Sequence, residues 1–323
     1  MPERHWASAH LYHHGDQDAL IADVVRPVAE GLRRDGLAQG FFFLRYWEGG
    51  PHVRLRVLTE HPEPVRTRVE AAATVFFQAT PSTSPMSTVD YNALAAVLAE
   101  QEGLDDHDRV LHPDNSLAFV DYVPETARYG TGRSLAAVED HLMAASALAA
   151  DLIGAGRSAG QRAMDAFAML AANRTLYTDI FPEFAYQSRF LAESRGAATA
   201  VLGSPEFERH YAANRDQLRT RLEAVWAAGQ GEAEPDTSVL ARWLTTIRDL
   251  HGTLVELDER GALDVEPGLD APPDVLDHIN HLVPQLIVEQ CAHLMCNRLG
   301  LTQVQELHLR VLLARTAFDL CAV

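Results

Sequence analysis

The chain has 323 residues and a formal net charge of −18, and all 27 of its Lys+Arg residues are arginine. With no lysine there is no Schiff-base catalysis and no P-loop or kinase lysine for nucleotide phosphoryl transfer, and the negative excess repels a phosphate backbone, which argues against direct nucleic-acid binding. A composition 47% hydrophobic and 22% charged suits a globular protein with a sizeable core. No apolar run is long enough to span a membrane, the first residues lack a signal-peptide pattern, and three cysteines suit reduced thiols, so a cytoplasmic protein is expected.

Residues 6–14 read as a short strand. In 16–34, Leu20, Val24, Val28 and Leu32 recur every fourth position, which predicts an amphipathic helix with a kink at Pro27. Residues 41–47 and 52–58 are strands flanking the turn-forming Glu48, Gly49, Gly50 and Pro51. A helix over 62–78, a loop over 81–88 and a strand over 117–123 follow. Beyond Ser134, which is placed to cap a helix, helical patterns dominate: 134–153, 158–173, 205–228, 237–260, 274–299 (interrupted at Pro284, stopped by Gly300) and 302–321. The expected fold is α+β. A single domain spans 1–323, with a mostly antiparallel sheet within residues 1–130 covered on one face by a helical body, 131–323.

A four-residue loop at 48–51 pairs Trp47 with His52, Arg45 with Arg54, and Phe43 with Arg56. Arg45, His52, Arg54 and Arg56 then share one face with Phe41 and Phe43, while Leu44, Tyr46, Val53, Leu55 and Val57 form the core face. Arginines directly opposite repel by roughly 0.2–1 kcal/mol, a cost that an anion between them removes. The plainer reading is a solvated polar face; the two phenylalanines favour a covered one, which suits an anion site. After the third strand, Arg128 sits in a turn-rich loop (122–132), where functional side chains are often placed and where Glu125 offers a local ion pair. Further on, His293 shares a helix stripe with Glu289 and Asn297, one turn away on each side, so Glu289 is placed to orient the imidazole. A satisfied structural histidine is the plainer reading. Cys291 and Cys296 lie about 140° apart around the helix, which disfavours a metal site. No metal or cofactor is expected.

Four segments in order resemble one family. FFLRYWEGGPHVRLR (42–56) is similar to the F-x-R-Y … P-H-x-R-L-R signature of the C-terminal part of lantibiotic dehydratases and of stand-alone thiopeptide-type bacteriocin biosynthesis proteins. Trp6 to Tyr12 looks like the family's opening strand, YVPETARYG (122–130) like its Y-x-x-E-x-x-R-Y-G-G segment, and HLMCNRLG (293–300), followed by Glu306, like its H-M-x-x-N-R-L-G helix. The resemblance implies a tailoring enzyme of ribosomally made, post-translationally modified peptides. It implies, more narrowly, a lyase that eliminates glutamate from glutamylated Ser or Thr, leaving dehydroalanine or dehydrobutyrine. It also implies that Arg54, Arg56, Arg128 and His293 do the eliminating. Arg128 sits after a longer spacing than in the fused dehydratases, and Gly-Thr-Gly replaces Gly-Gly. Arg45, His52, Tyr129, Asn297 and Arg298 are the accompanying substrate-binding candidates. Implied partners are a precursor peptide, a separate glutamyl-tRNA-dependent glutamylation protein and a second copy in a homodimer. Two alternatives stay open: a [4+2] pyridine synthase that joins two dehydroalanines, and a non-catalytic subunit that binds the precursor.

Overall fold

A computed structural model describes residues 4–102, 106–193, 204–265 and 281–321. The chain is α+β, as expected, and it divides into two compact units. Residues 1–124 and 142–157 form the first, and residues 125–141 and 158–323 form the second.

The first unit is built on an antiparallel sheet in the order β2-β3-β1-β4, with β1 Trp6–Tyr12, β2 Gly40–Tyr46, β3 His52–Leu58 and β4 Ser116–Phe119. Alternation turns Ala7, Ala9, Leu11, Phe41, Phe43, Val53, Leu55 and Val57 to one face, and every one of them is buried. Around this core lie α1 Gln17–Leu20, a π-helical turn at Ile21–Val25, α2 Arg26–Arg34 and α3 Pro62–Ala79. Asp16 caps α1 by accepting from the amides of Asp18 and Ala19. The anticipated kink takes the form of the π turn immediately before Pro27. Proline has no N–H and its ring crowds the carbonyl four residues back, and a widened turn relieves that clash. Strand β2 is an edge, and the Ser146 hydroxyl accepts from the Phe43 amide there (3.1 Å), which blunts the edge.

The hairpin register differs from the expected one. Tyr46 pairs with His52, Leu44 with Arg54, and Phe42 with Arg56, so residues 47–51 all lie in the connection. The tight turn runs from Trp47 to Gly50, closed by Gly50 N–H to Trp47 O at 2.9 Å, with Gly49 at φ 76°. Pro51 is left outside the ladder, and its carbonyl accepts from the His13 amide. A slip of one residue moves a strand's side chains to the opposite face. Arg45, Phe41 and Phe43 therefore leave the face of His52, Arg54 and Arg56, while Phe42, Leu44 and Tyr46 join it. Arg45 instead pairs with Asp18. Helix α4, Thr88–Glu102, which hydrophobic periodicity did not reveal, steadies the turn: the Tyr91 hydroxyl accepts from the Gly49 amide (2.8 Å) and donates to the Asp108 carbonyl.

The second unit is helical: α5 Thr126–Tyr129, α6 Arg133–Gly154 (its last turns belonging to the first unit), α7 Ala159–Arg174, α8 Phe181–Glu193, α9 Pro205–Gln230, α10 Ser238–Glu259, α11 Leu282–Arg298 and α12 Gln303–Cys321. Helix α7 is its centre: every residue from Asp165 to Arg174 is buried, and its alanines let neighbouring helices approach closely. A Ser158–Gln161 capping box starts it. Ser134 does not cap α6; its hydroxyl donates to the Tyr129 carbonyl (2.6 Å). Gly300, at φ 78°, ends α11 as expected. Pro284 falls in the first turn of that helix, where its missing N–H costs nothing. The predicted start of α11 at 274 lies outside the described residues. Among the described residues, no helix is long and apolar enough to cross a membrane.

Candidate functional site

In the first unit, the register collects His10, Tyr12, His52, Arg54 and Arg56 on the face opposite the core. The arginines are held by imidazoles. His52 donates from Nδ1 to the Gly50 carbonyl (2.8 Å), so its Nε2 lone pair accepts from Arg54 Nε (3.2 Å). His10 Nε2 accepts from Arg56 Nη2 (3.3 Å). Burial, assisted by the His52 ring and the neighbouring guanidinium charges, holds His10 down at about 2, and burial likewise holds His52 down at about 3 against its bond to Gly50. Both rings are therefore neutral acceptors near neutral pH. They stack in a ladder with Tyr12, His10–His52 at 4.7 Å and Tyr12–His52 at 4.6 Å, and His112 adds a ring on Tyr12 at 4.5 Å. The Arg54 guanidinium lies 3.4 Å from the Tyr46 ring centroid, a cation–π contact. Glu48 approaches Arg54 only to 3.6 Å, beyond good hydrogen-bond length. Two permanently charged forks, aimed by neutral rings on one half-buried face, can hold an anion.

The depressed imidazoles have a consequence for stability. The unfolded chain protonates these rings near pH 6.5 and the folded chain does so only near 2–3. Their contribution is thus present above the unfolded value and is lost as pH falls through the window below it. Thermal midpoints measured from about pH 7 to about pH 4 should fall more steeply in the wild type than in His52→Gln, whose amide accepts the same bond without titrating. Equal slopes would show that His52 is not held neutral.

In the second unit, His293 on α11 is oriented by a carboxylate, but not by the expected one. Its Nδ1 donates to Glu306 Oε2 of α12 (2.6 Å), which leaves Nε2 as the basic nitrogen. Glu306 accepts from Arg310 Nε (2.9 Å), Arg310 Nη1 reaches Glu289 (3.0 Å), and Glu289 takes a two-pronged bond from Arg174 of α7. Glu289 is turned away from His293 because two buried guanidinium groups claim it. The four charged partners are at most 7% exposed by side chain, whereas His293 is 26% exposed, so the chain of charges ends at a reachable imidazole. Asn297 lies half-buried one turn on.

Arg128, Tyr129 and Arg298 also lie in this unit. Arg128 is half exposed and paired with Glu125 (3.3 Å), the plain local ion pair. Tyr129 is buried, and burial raises its phenol far above the ordinary range. Arg298 is wholly enclosed; burial pushes it down to about 10, opposed by the Cys291 thiol and the Tyr129 phenol. It faces the interior, not solvent. The sequence reasoning missed His10, Arg174 and Arg310. Period-two alternation in β1 carries the signal for His10, while the two arginines carry none, because helix spacing alone does not tell which carboxylate they meet.

The family described as "Lantibiotic biosynthesis dehydratase C-term" matches residues 6–317. No curated protein sequence is recognisably similar. Among solved structures, the chain is similar to "Pyridine synthase, TbtD, from thiomuracin biosynthesis", with 25% identity, 99% of each chain covered and a TM-score of 0.77. It is similar in fold to TsrL, with 17% identity, 99% of this chain and 96% of that one covered, and a TM-score of 0.68. The tRNA dependent lantibiotic dehydratase MibB from Microbispora sp. 107891 aligns at 18% identity over 98% of this chain and 28% of the other, with a TM-score of 0.49.

Proposed function

The chain belongs to the lantibiotic biosynthesis dehydratase C-terminal family, and on that premise we propose that it eliminates glutamate from glutamylated Ser or Thr of a precursor peptide. The observation that carries this reading is the pair Arg54 and Arg56, each aimed by a neutral imidazole on one face of the sheet. Elimination removes the α-proton of the modified residue and forms the Cα–Cβ double bond. It breaks the Cβ–O bond, and the electron pair leaves on the oxygen of the glutamate carboxylate that had formed the ester. The reading assigns the proton to His293 Nε2, whose other nitrogen is fixed by Glu306. It assigns the departing carboxylate to Arg54 and Arg56, whose charge costs no reorganisation as the anion develops. Arg128 has the weakest support, being half exposed and already paired.

A second reading rests on the likeness to TbtD, a pyridine synthase that matches over the full length of both chains. A cycloaddition of two dehydroalanines expels no glutamate, so its product separates the two. Incubated with a chemically glutamylated precursor, the protein should release free glutamate, and Arg54→Ala or His293→Ala should lower that release. No release, together with macrocycle formation from a peptide carrying two dehydroalanines, would replace elimination with cyclisation. Binding of the precursor with neither reaction would leave a presenting subunit.

A further inference from the structure

Arg56 has two neighbours that the elimination reading leaves unused. In β1, Trp6 and Ser8 share the face of His10, and Ser8 lies directly opposite Arg56 across the ladder, with Phe42 opposite Arg56 on its other side. Ser8 is 2% exposed, and neither its hydroxyl nor the enclosed Trp6 indole N–H meets a hydrogen-bond partner in the protein. Buried donors are almost always satisfied, and Trp6 and Ser8 sit two residues apart beside a buried guanidinium. The aromatic walls are in place. Trp6 meets Phe42 edge-on at 5.0 Å and Tyr122 at 5.4 Å, Phe42 and Tyr122 are 5.9 Å apart, and the Arg56 guanidinium lies 5.9 Å from the Tyr122 ring. The Ser8 hydroxyl, the Trp6 indole and the Arg56 guanidinium all offer protons, so the complementary occupant is a group that only accepts, namely a carboxylate. The rings around it suit a short methylene chain.

We infer that Arg56, the Ser8 hydroxyl and the Trp6 indole N–H form a carboxylate-binding niche walled by Phe42 and Tyr122. On the elimination reading, its occupant is a carboxylate of the departing glutamate, and Ser8 and Trp6 are substrate contacts. If the two donors were merely structural, removing them would relieve an unsatisfied group and leave function untouched. If they serve a ligand, stability and binding part company.

The test uses L-glutamate as the probe, with glutaramide, which carries no carboxylate, as control. Affinity is measured by titration calorimetry on the full chain for wild type, Ser8→Ala, Ser8→Thr and Trp6→Phe, and each thermal midpoint is recorded without glutamate. The expected result is glutamate binding without glutaramide binding, and a loss of about tenfold for Ser8→Ala and for Trp6→Phe, one hydrogen bond each. Midpoints should be unchanged or raised, and Ser8→Thr, which keeps the hydroxyl, should retain affinity. Unaltered affinity in Ser8→Ala and Trp6→Phe, or no glutamate binding by the wild type, overturns the niche. The two readings fail separately. Glutamate bound in the expected order by a protein that releases none from glutamylated peptide leaves the niche standing and removes elimination. Release that is indifferent to Ser8 and Trp6 removes the niche and leaves elimination.

Discussion

Replacing Arg56 by alanine should lower glutamate release from a glutamylated precursor by about 10²–10³-fold, the range for removal of one preorganised donor to a developing oxyanion. Most of the loss should appear in kcat, because the ester oxygen carries no full charge until the Cβ–O bond breaks, and an interaction strongest in the transition state is the one that sets kcat. Arg56→Lys should recover little. Arg56 reaches the His10 ring through one nitrogen of a planar fork (3.3 Å), and an ammonium cannot meet both the imidazole and an anion in that plane. Arg54→Ala should lose less, because Arg54 is 26% exposed by side chain and water screens part of its field. The checks are single-turnover release of glutamate and circular dichroism to confirm folding. A fall confined to KM would mean that the arginines hold substrate and product alike, and would move the charge-stabilising role elsewhere.

What could be read from the sequence divides by the range of the forces involved. Helix termini depend on residues a few positions apart, so the Gly300 stop was legible, as were the long helical stretches from 134 to 321 other than α8, and the alternation of β3 placed His52, Arg54 and Arg56 together. The hairpin register was not legible. It turns on whether Trp47 pairs with His52 or joins the connection, and that is decided by partners from other segments: the His13 amide on the Pro51 carbonyl and the Tyr91 hydroxyl on the Gly49 amide. Arg45 changed face for that reason alone.

The same limit applies to the histidine helix. Spacing put Glu289 and His293 on one stripe, but a helix stripe does not say what packs against it. Arg174 and Arg310 arrive from α7 and α12 and take Glu289, and Glu306 arrives with α12 and takes His293. Helix α4 was missed for a different reason: its buried stripe, Tyr91, Ala95 and Ala99, is made mostly of small residues, while the larger apolar Val89, Leu94 and Val97 are exposed and blur the pattern.

Glu289 should be the most costly single residue to lose from the helical unit. It is 5% exposed and lies between Arg174 and Arg310, themselves 2% and 3% exposed. Burial alone would raise its carboxyl; the two guanidinium groups overcome burial and hold it below the usual carboxylate range. Glu289→Ala strands the buried Arg174, leaves Arg310 with Glu306 alone, and should cost roughly 3–5 kcal/mol, read as a lower urea midpoint and as lost hydrogen-exchange protection of the α7 amides. Glu289→Gln keeps an acceptor without the charge and should fall between the two. The depressed carboxyl also fixes the sign of the pH effect. The stabilisation is whole above the unfolded value near 4.5 and is lost as pH falls through the lower folded value, so the wild type should approach the Glu289→Gln midpoint in acid and diverge from it toward neutrality. The damage should also reach His293 before the unit unfolds. Arg310 is shared between Glu289 and Glu306, so without Glu289 it is free to swing fully onto Glu306 and compete with the imidazole for the same carboxylate. Under conditions where Glu289→Ala is still folded, glutamate release should therefore fall as it does in a Glu306 variant. A variant that is destabilised yet releases glutamate at the wild-type rate would show that the buried charges support the helices and not the imidazole.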